Sequence, residues 1–545
     1  MRSITKIDSL MQRAVNVLDS LQHLLYSPSA AELFCQMNAY VVRLSCSFSV
    51  ENAAEEIPAP VRQCVHGMKD KKRLGKISQR RPDISSHLHT IAVVNTARES
   101  SAQLRRVLGM WDLVLMIIGT VIGSGIFLVP GAVLRAVGNS VPMALSVWLA
   151  GGFLSLLGAL TYGELSAMKP HSGGLYVYIR DCYGPLPAFL FGWTLFFVIS
   201  SGSIATLAVA FGNYLAEFIE LSPGNTKAVA IAMIFVITVV NVLGTRHSAN
   251  LLNVTTAIKV AAILAVSTVL LWHGKHSVLG DLSSSAYQSS GFVGFGLAMI
   301  SVLWAYEGWQ YVTYTAGETV NPQRTFPVAF FIGTAALMAI YLLANLGYVA
   351  ALGASGVGGS TRVAAAALAV VVSHGAGKLV AAAILISMFS AANAIILNAP
   401  RVYYAMAKDG LFFSSLARVH PTFRTPALAI CAAGIWSAVL AASGTYEQLL
   451  MYVVFIGWIF YALAAASLFI YRKRSPDAAR PYRVPGYPFT PIVFIVAAMA
   501  LVANTIAMKP VQAGIGLGIV LLGAPAYAFW RRTAKFTDAR NMTNA

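Results

Sequence analysis

The stretch Gly119-Thr120-Val121-Ile122-Gly123-Ser124-Gly125-Ile126-Phe127, with Pro130-Gly131 just beyond it, lies inside a charge-free interval running from 113 to 134. A helix crossing the hydrocarbon of a bilayer needs about 20 apolar residues, and this interval supplies them. Gly119, Gly123 and Gly125 work against that helix, since each glycine weakens it by about 1 kcal/mol relative to alanine. Two accounts compete. In one, Gly119 and Gly123, four apart, let another helix approach closely. In the other, the helix breaks near the bilayer centre, where irregular backbone is tolerated only if it lines a cavity or is buried in protein. A break predicts a second half-helix from near Ser124, its free N–H groups and positive dipole end turned toward an anion. The carbonyls of Val121 and Ile122, closing the first half, would attract a cation.

A second irregular stretch decides between them. Ser301-Val302-Leu303-Trp304-Ala305-Tyr306-Glu307-Gly308-Trp309-Gln310 puts a charge, a glycine and three aromatics in the middle of a span. It falls in the sixth span, five after the first. Interruptions at corresponding positions of two halves point to a transporter's binding site, so the pair favours broken helices over packing glycines. One break offers amides to an anion, and both offer carbonyls to a cation. A small zwitterion satisfies both sets, and an α-amino acid is the obvious one.

Two charges sit inside these spans. Lys259, in Asn253-Val254-Thr255-Thr256-Ala257-Ile258-Lys259-Val260, has no acidic residue within four positions. A lysine in lipid is costly, so it is expected to face the bundle interior and bond carbonyls or hydroxyls. Its ammonium would then fill a space where a coupling Na⁺ could otherwise bind; snorkelling to the surface fits its mid-span position less well. Glu307 reads equally as a protonatable gate or counter-charge for a cationic substrate, and as a carboxyl hydrogen-bonded to a neighbouring helix. Glu164 and Glu318, at inner helix ends, read as structural ion pairs. Asn393 and Asn398 bond either substrate or a neighbouring helix.

The whole chain fits a membrane solvent. Of its 545 residues 57% are hydrophobic and 11% charged, against about 25% charged in soluble proteins, which excludes a water-soluble enzyme. Charge-free intervals run over 113–134, 136–163, 182–216, 228–245, 260–274, 282–306, 325–361, 379–400, 425–446, 448–471, 484–508 and 510–530. The fifth span works as 249–272 with Lys259 inside, and the sixth as 292–317 with Glu307 inside. The fold class expected is an all-α membrane protein of about twelve helices, occupying 105–532. The loops on one side carry most of the Lys and Arg, including Arg472, Lys473, Arg474, Arg480 and Arg483. The other side holds Arg135, Lys227, Lys275, Arg362, Lys378 and Lys509. Both termini are therefore expected in the cytoplasm.

Residues 1–104 differ in kind: basic, with the run Lys69, Lys71, Lys72, Arg73, Lys76, Arg80 and Arg81, and with no stretch long enough to span. They read as a poorly ordered cytoplasmic extension, and 533–545 as a cytoplasmic tail. A basic cluster also suits nucleic acid, but in so apolar a chain the positive-inside rule favours retention at the cytoplasmic face, and no nucleic-acid partner is expected. Cys35, Cys46, Cys64, Cys182 and Cys431 show no paired spacing, so neither disulfide framework nor zinc site is implied. No phosphate loop, HExxH, GxSxG or kinase signature occurs, leaving ATP-driven transport and common hydrolase chemistry without support. No cofactor or metal is expected.

Further motifs carry a resemblance. Gly123-Ser124-Gly125-Ile126-Phe127, Tyr162-Gly163-Glu164-Leu165 and Ser172-Gly173-Gly174-Leu175-Tyr176 resemble the amino acid–polyamine–organocation superfamily. Ala305-Tyr306-Glu307-Gly308-Trp309 with Glu318-Thr319-Val320-Asn321-Pro322 resembles its L-type amino-acid transporter branch, as do Pro400–Gly410 and Arg480–Pro488. The likeness covers about 103–532. It implies a LeuT-type fold of two inverted five-helix repeats plus two helices, with helices 1 and 6 discontinuous, and Na⁺-independent uptake or exchange of amino acids at the plasma membrane. It also implies roles. The backbone at Gly123, Ser124 and Gly125 would hold a carboxylate. Carbonyls at Val121, Trp304 and Glu307, beside Ala305, would hold the amine. Trp304 would gate the site from outside, and Lys259 would take the place of a sodium ion. Animal members carry a cysteine that links them to a glycoprotein partner. The loop Leu221-Ser222-Pro223-Gly224-Asn225-Thr226-Lys227 has none, so a stand-alone protein of bacterial type, without a disulfide-linked heavy chain, is expected. Glu307 stands where several neutral-amino-acid members have glycine.

The reading is a secondary active amino-acid transporter working by alternating access, by exchange or proton coupling. A polyamine or organic-cation carrier, motivated by Glu307, and a non-transporting membrane sensor on the same scaffold are the rivals.

Overall fold

The computed structural model describes residues 103–278, 280, 291–371, 375–443, 446–508 and 510–531. The expected basic extension, apart from its last two residues, and the tail 533–545 lie outside the described residues. Among these residues regular structure is helical, with one isolated β-bridge between Leu108 and Thr319.

Local chemistry sets the helix ends. α1 (Met110–Val121) opens where the Asp112 carboxylate accepts from the Gly109 amide at 2.8 Å, and stops at Ile122, whose backbone is extended. α2 (Gly125–Ala136) continues at 52° to it. α3 (Val141–Met168) is capped by Ser140 and has Pro142 in its first turn, where a missing N–H costs nothing. α4 (Leu175–Tyr183) and α5 (Pro185–Thr194) meet at Gly184, whose φ of 93° suits glycine. A π-turn over Leu195–Ile199 joins α5 to α6 (Ser200–Leu215). There the Ser200 and Ser201 hydroxyls donate to the carbonyls of Leu195 and Phe196 at 2.8 and 2.7 Å.

α7 (Pro223–Leu243) and α8 (Thr245–His273) follow, then α9 (Gly291–Ala305), a 3₁₀ segment (Trp309–Glu318) and α10 (Pro322–Gly359). The chain continues through α11 (Val363–Val371), α12 (Ala376–Asn398) and α13 (Pro400–Lys408) to α14 (Ala427–Ser443), α15 (Tyr446–Arg474), α16 (Phe489–Met508) and α17 (Pro510–Leu521).

Among the described residues, eight helices are long and apolar enough to cross a membrane, or nine if the bent pair α1 and α2 is one span. The chain is a multi-pass membrane protein. The sequence pattern suggested about twelve spans. One reason for the lower number is that α9 and α14 are described over 15 and 17 residues, 281–290 and 444–445 beside them lying outside the described residues.

The interior is organised around α10, which packs on α3, α8 and α1, and around α8, which also packs on α12. A polar seam runs between α8 and the α12–α13 stretch. Thr256 meets Ser390 at 3.3 Å, Ser248 donates to Asn393 at 3.2 Å, and Arg401 donates to Thr245 at 2.9 Å. In each of the outer pairs the two residue numbers add to 646, as for antiparallel neighbours, and Asn393 also accepts from Asn241 at 2.8 Å.

The seam ends in a buried ion pair. Arg401 Nε and Nη2 donate to Glu318 at 2.6 and 3.0 Å, Thr245 donates to the same carboxylate, and both charged side chains are fully buried. The Glu318 carbonyl accepts from the amides of Val107 and Leu108 at 2.8 and 3.0 Å, which ties the chain entering α1 to the end of the 3₁₀ segment. Glu164 makes the second such cluster, accepting from Arg472 at 2.6 and 2.9 Å and from the Val484 amide at 2.7 Å.

Removing one partner of a buried pair leaves a charge without compensation, at a cost of about 3–5 kcal/mol. Arg401→Leu is therefore expected to lower the melting temperature in detergent sharply, with the double variant Glu318→Leu/Arg401→Leu recovering part of the loss. An unchanged melting temperature in the single variant would show that the pair contributes nothing.

Candidate binding site at two helix breaks

α1 ends because Ile122 turns extended, and the Gly123 amide closes a short turn onto the Val121 carbonyl at 2.9 Å. Among the described residues no backbone carbonyl accepts from the Ser124 amide. Ser124 caps α2 without a side-chain bond, so the first amides of α2, at Gly125 and Ile126, have no acceptor inside their own helix. The three glycines serve different ends. A Cβ on Gly119 would meet Thr256 Oγ1 at 2.5 Å and Leu252 at 3.0 Å, and one on Gly125 would meet Ala305 at 3.1 Å; one on Gly123 would meet nothing within 4 Å. Gly119 is a packing glycine, Gly125 brings the two breaks together, and Gly123 faces open space.

The carbonyl side of the break has donors. Lys259, on α8, is 1% exposed, and its ammonium donates to the carbonyls of Gly119 and Ile122 at 2.6 and 2.7 Å. Ser387, on α12, donates to Ile122 and Gly123 at 2.9 and 3.0 Å. A cation does meet carbonyls at this break, but on Gly119 and Ile122 rather than on Val121 and Ile122. Val121 is reached instead by the hydroxyl of Tyr341, at 3.3 Å.

The second break lies against the first. α9 stops at Ala305; the Glu307 amide turns back to the Trp304 carbonyl at 3.2 Å, and Gly308 takes φ of 128°. A Cβ on Gly308 would sit 3.0–3.1 Å from Thr120 as well as in a conformation that side chains rarely adopt. The half-buried Glu307 accepts from the hydroxyl of Tyr461, on α15, at 2.9 Å. Trp304 is 45% exposed, and its ring lies 3.6 Å from where a Gly125 Cβ would be. Val121, Gly123, Ser124, Gly125, Trp304, Ala305 and Glu307 thus fall at two adjoining breaks, with Lys259 behind the first. Among the described residues no group of three or more His, Cys, Asp or Glu side chains is arranged to hold a metal ion.

A family model described as "Amino acid permease" matches residues 108–523. The chain belongs to the amino acid permease family. This permease is 33% identical over 428 residues to the serine/threonine exchanger SteT of Bacillus subtilis (strain 168), covering 78% of this chain and 96% of the relative. It is 31% identical over 452 residues to the human cystine/glutamate transporter, covering 82% and 89%. It is 32% identical over 424 residues to the human b(0,+)-type amino acid transporter 1, covering 76% and 86%. These relatives are transporters, not enzymes.

Three residues at the breaks escaped the sequence reading: Tyr341, Ser387 and Tyr461. Ser387, Ser390 and Asn393 recur every three positions in an apolar helix, a polar stripe that a periodicity count would have found. Tyr341 and Tyr461 carry no such signal, because one tyrosine in a long apolar run is unremarkable until its neighbours are known. Asn393 and Asn398 join helices, through Asn241 and Ser248 and through Thr315. Glu164 and Glu318 stand in ion pairs.

The glycine assignments can be separated. Gly119→Ala is expected to overpack against Thr256 and destabilise the permease by about 1–3 kcal/mol, whereas Gly123→Ala leaves its melting temperature unchanged. Equal effects of the two would contradict the division.

Proposed function

We propose that this permease carries amino acids across the plasma membrane by alternating access, by Na⁺-independent exchange or proton-coupled uptake. The observation that carries the reading is the polarity of the first break: Lys259 seats its ammonium on the carbonyls of Gly119 and Ile122, while amides at Ser124 and Gly125 remain for a ligand beside the opening at Gly123. In this reading those amides take the substrate carboxylate, a use of helix N-termini that needs no counter-ion. The carbonyls of Val121, Trp304 and Glu307 take the amine. Trp304 covers the site from outside, and the fixed charge of Lys259 does the work that a bound Na⁺ would otherwise do.

The family membership supports a body of twelve helices at 105–532, in two inverted repeats of five with α1 and α2 as one broken helix and α9 with its 3₁₀ segment as the other. Residues 1–104 and 533–545 then lie on the cytoplasmic side, consistent with the Lys/Arg bias. The cysteine-free loop at 221–227 supports a permease working without a disulfide-linked heavy chain. A second reading rests on Glu307, a carboxylate at the break that among the described residues has one tyrosine hydroxyl on it: a substrate with a cationic side chain, or a polyamine, would supply the missing charge.

Two measurements test the proposal. In proteoliposomes, uptake across a screen of the twenty amino acids is expected to be indifferent to replacing Na⁺ with choline; steep Na⁺ dependence would refute the assignment of Lys259. Competition among alanine, leucine, arginine and putrescine in the same assay separates the two readings. Lys259→Ala is expected to lose most transport while still reaching the membrane, and near-normal flux would remove its role.

A further inference from the structure

The chain between α15 and α16 is pinned to the bundle by Glu164, on α3. Its carboxylate accepts from Arg472, near the end of α15, at 2.6 and 2.9 Å, and from the Val484 amide at 2.7 Å. The Arg472 guanidinium also lies 3.7 Å from the centre of the Tyr487 ring, and that ring meets Phe469 at 5.4 Å. The end of α15 and the entrance to α16 are therefore clamped together. Other cations here are occupied. Arg480 donates to the carbonyls of Ser475 and Pro476 at 2.6 and 2.7 Å, and Arg474 to those of Cys182 and Asp181 at 3.2 and 3.4 Å. Two are not. Lys473 follows Arg472 and Arg483 precedes Val484, so the clamp places both, and both are exposed. Among the described residues neither side chain makes an ion pair or hydrogen bond. The stretch 472–488 contains one acidic residue, Asp477.

Directly beyond the clamp, α16 opens on Phe489, which is 72% exposed, and Ile492, Val493 and Val496 on the same helical face are exposed as well. α16 is among the helices long and apolar enough to cross a membrane, so this stripe faces hydrocarbon. Two uncompensated cations thus stand at the head of an apolar stripe. A soluble anion would use the cations and leave the stripe idle, whereas an anionic phospholipid uses both. We propose that the clamped junction of α15 and α16 is a binding site for an anionic phospholipid of the adjoining leaflet. Lys473 and Arg483 take its phosphate, and an acyl chain lies along Phe489, Ile492, Val493 and Val496. Basic side chains at the end of a membrane helix attract such headgroups at about 1 kcal/mol each. The inference does not depend on what the permease carries.

The test follows the melting temperature of the purified full chain in neutral detergent. It is titrated separately with phosphatidylglycerol, with phosphatidylcholine of the same acyl chains, and with inorganic phosphate. Phosphatidylglycerol is expected to raise the melting temperature saturably, as a ligand of the folded state does, and high salt to weaken the effect; the other two additions leave it unchanged. Lys473→Gln and Arg483→Gln are each expected to need about fivefold more phosphatidylglycerol for half the shift, and the double variant about thirtyfold more. Without lipid all three melt as wild type does, since neither side chain is bonded within the fold. Lys227→Gln/Lys275→Gln removes two exposed cations from the opposite set of loops and keeps the wild-type response. A double variant that responds like wild type overturns the inference, as does an equal loss in the Lys227/Lys275 variant. Stabilisation by phosphatidylcholine to the same extent shows an unselective lipid effect, and stabilisation by phosphate alone shows a free-anion site; either overturns it. If the double variant fails to fold, the single variants make the same comparison, and wild-type protein indifferent to phosphatidylglycerol overturns the inference without any variant.

Discussion

The Lys259 ammonium on the carbonyls of Gly119 and Ile122 is the contact around which the rest of the interior is arranged. Each side of it is unfavourable alone. A lysine inside an apolar bundle must find acceptors, and a helix that stops in mid-membrane leaves carbonyls with no donor. Placed together, the charge and the exposed backbone satisfy each other. Ser387 and Tyr341 also donate to carbonyls at the break, so donors from three different helices meet its carbonyl face. Among the described residues the amide face at Ser124 and Gly125 has no such closure, and that asymmetry gives the site its polarity.

The same rule, that buried polar groups are satisfied in networks or not tolerated, explains the seam between α8 and α12–α13. Thr245, Ser248, Thr256 and Lys259 line one helix, and Ser387, Ser390, Asn393 and Arg401 line its antiparallel neighbour. The seam joins the central break to the Glu318–Arg401 pair, which also holds the chain entering α1 through the amides of Val107 and Leu108. The start of the first broken helix and the end of the segment after the second are thus fastened at one residue, Glu318, whose backbone carbonyl takes the two amides while its carboxylate takes Arg401 and Thr245. Motion of either helix end relative to the other has to break those backbone bonds or shift Glu318 against Arg401, and two fully buried charges make their separation costly.

The class of protein was legible from composition and charge-free runs, because bilayer thickness sets a length that needs no knowledge of neighbours. The interruptions at Gly123–Gly125 and at Glu307–Gly308 were legible too, since glycine and charge act on the helix that contains them. Helix number was less so. A charge-free interval does not say where a helix stops, and the helix in the run ending at Tyr306 gives way at Ala305 to a 3₁₀ segment that carries the chain on past the charge at Glu307. Gly119 illustrates a finer limit: its glycine is required by Thr256 and Leu252 across a helix interface, while Gly123, four residues on, faces open space.

By itself the sequence determined that this chain lives in a membrane, pointed to interruptions in two of its spans, and required that a lysine without a local carboxylate be received by something polar inside the bundle. Only the tertiary structure decided what receives it. The carbonyls that meet Lys259 lie 140 and 137 residues away along the chain, and the one that meets Tyr341 from α1 lies 220 away. Helical periodicity fixes which residues share a face of one helix, but the rotation of each helix about its axis is set by packing against the others. Which hydroxyl or ammonium reaches which carbonyl is therefore a property of the assembled bundle.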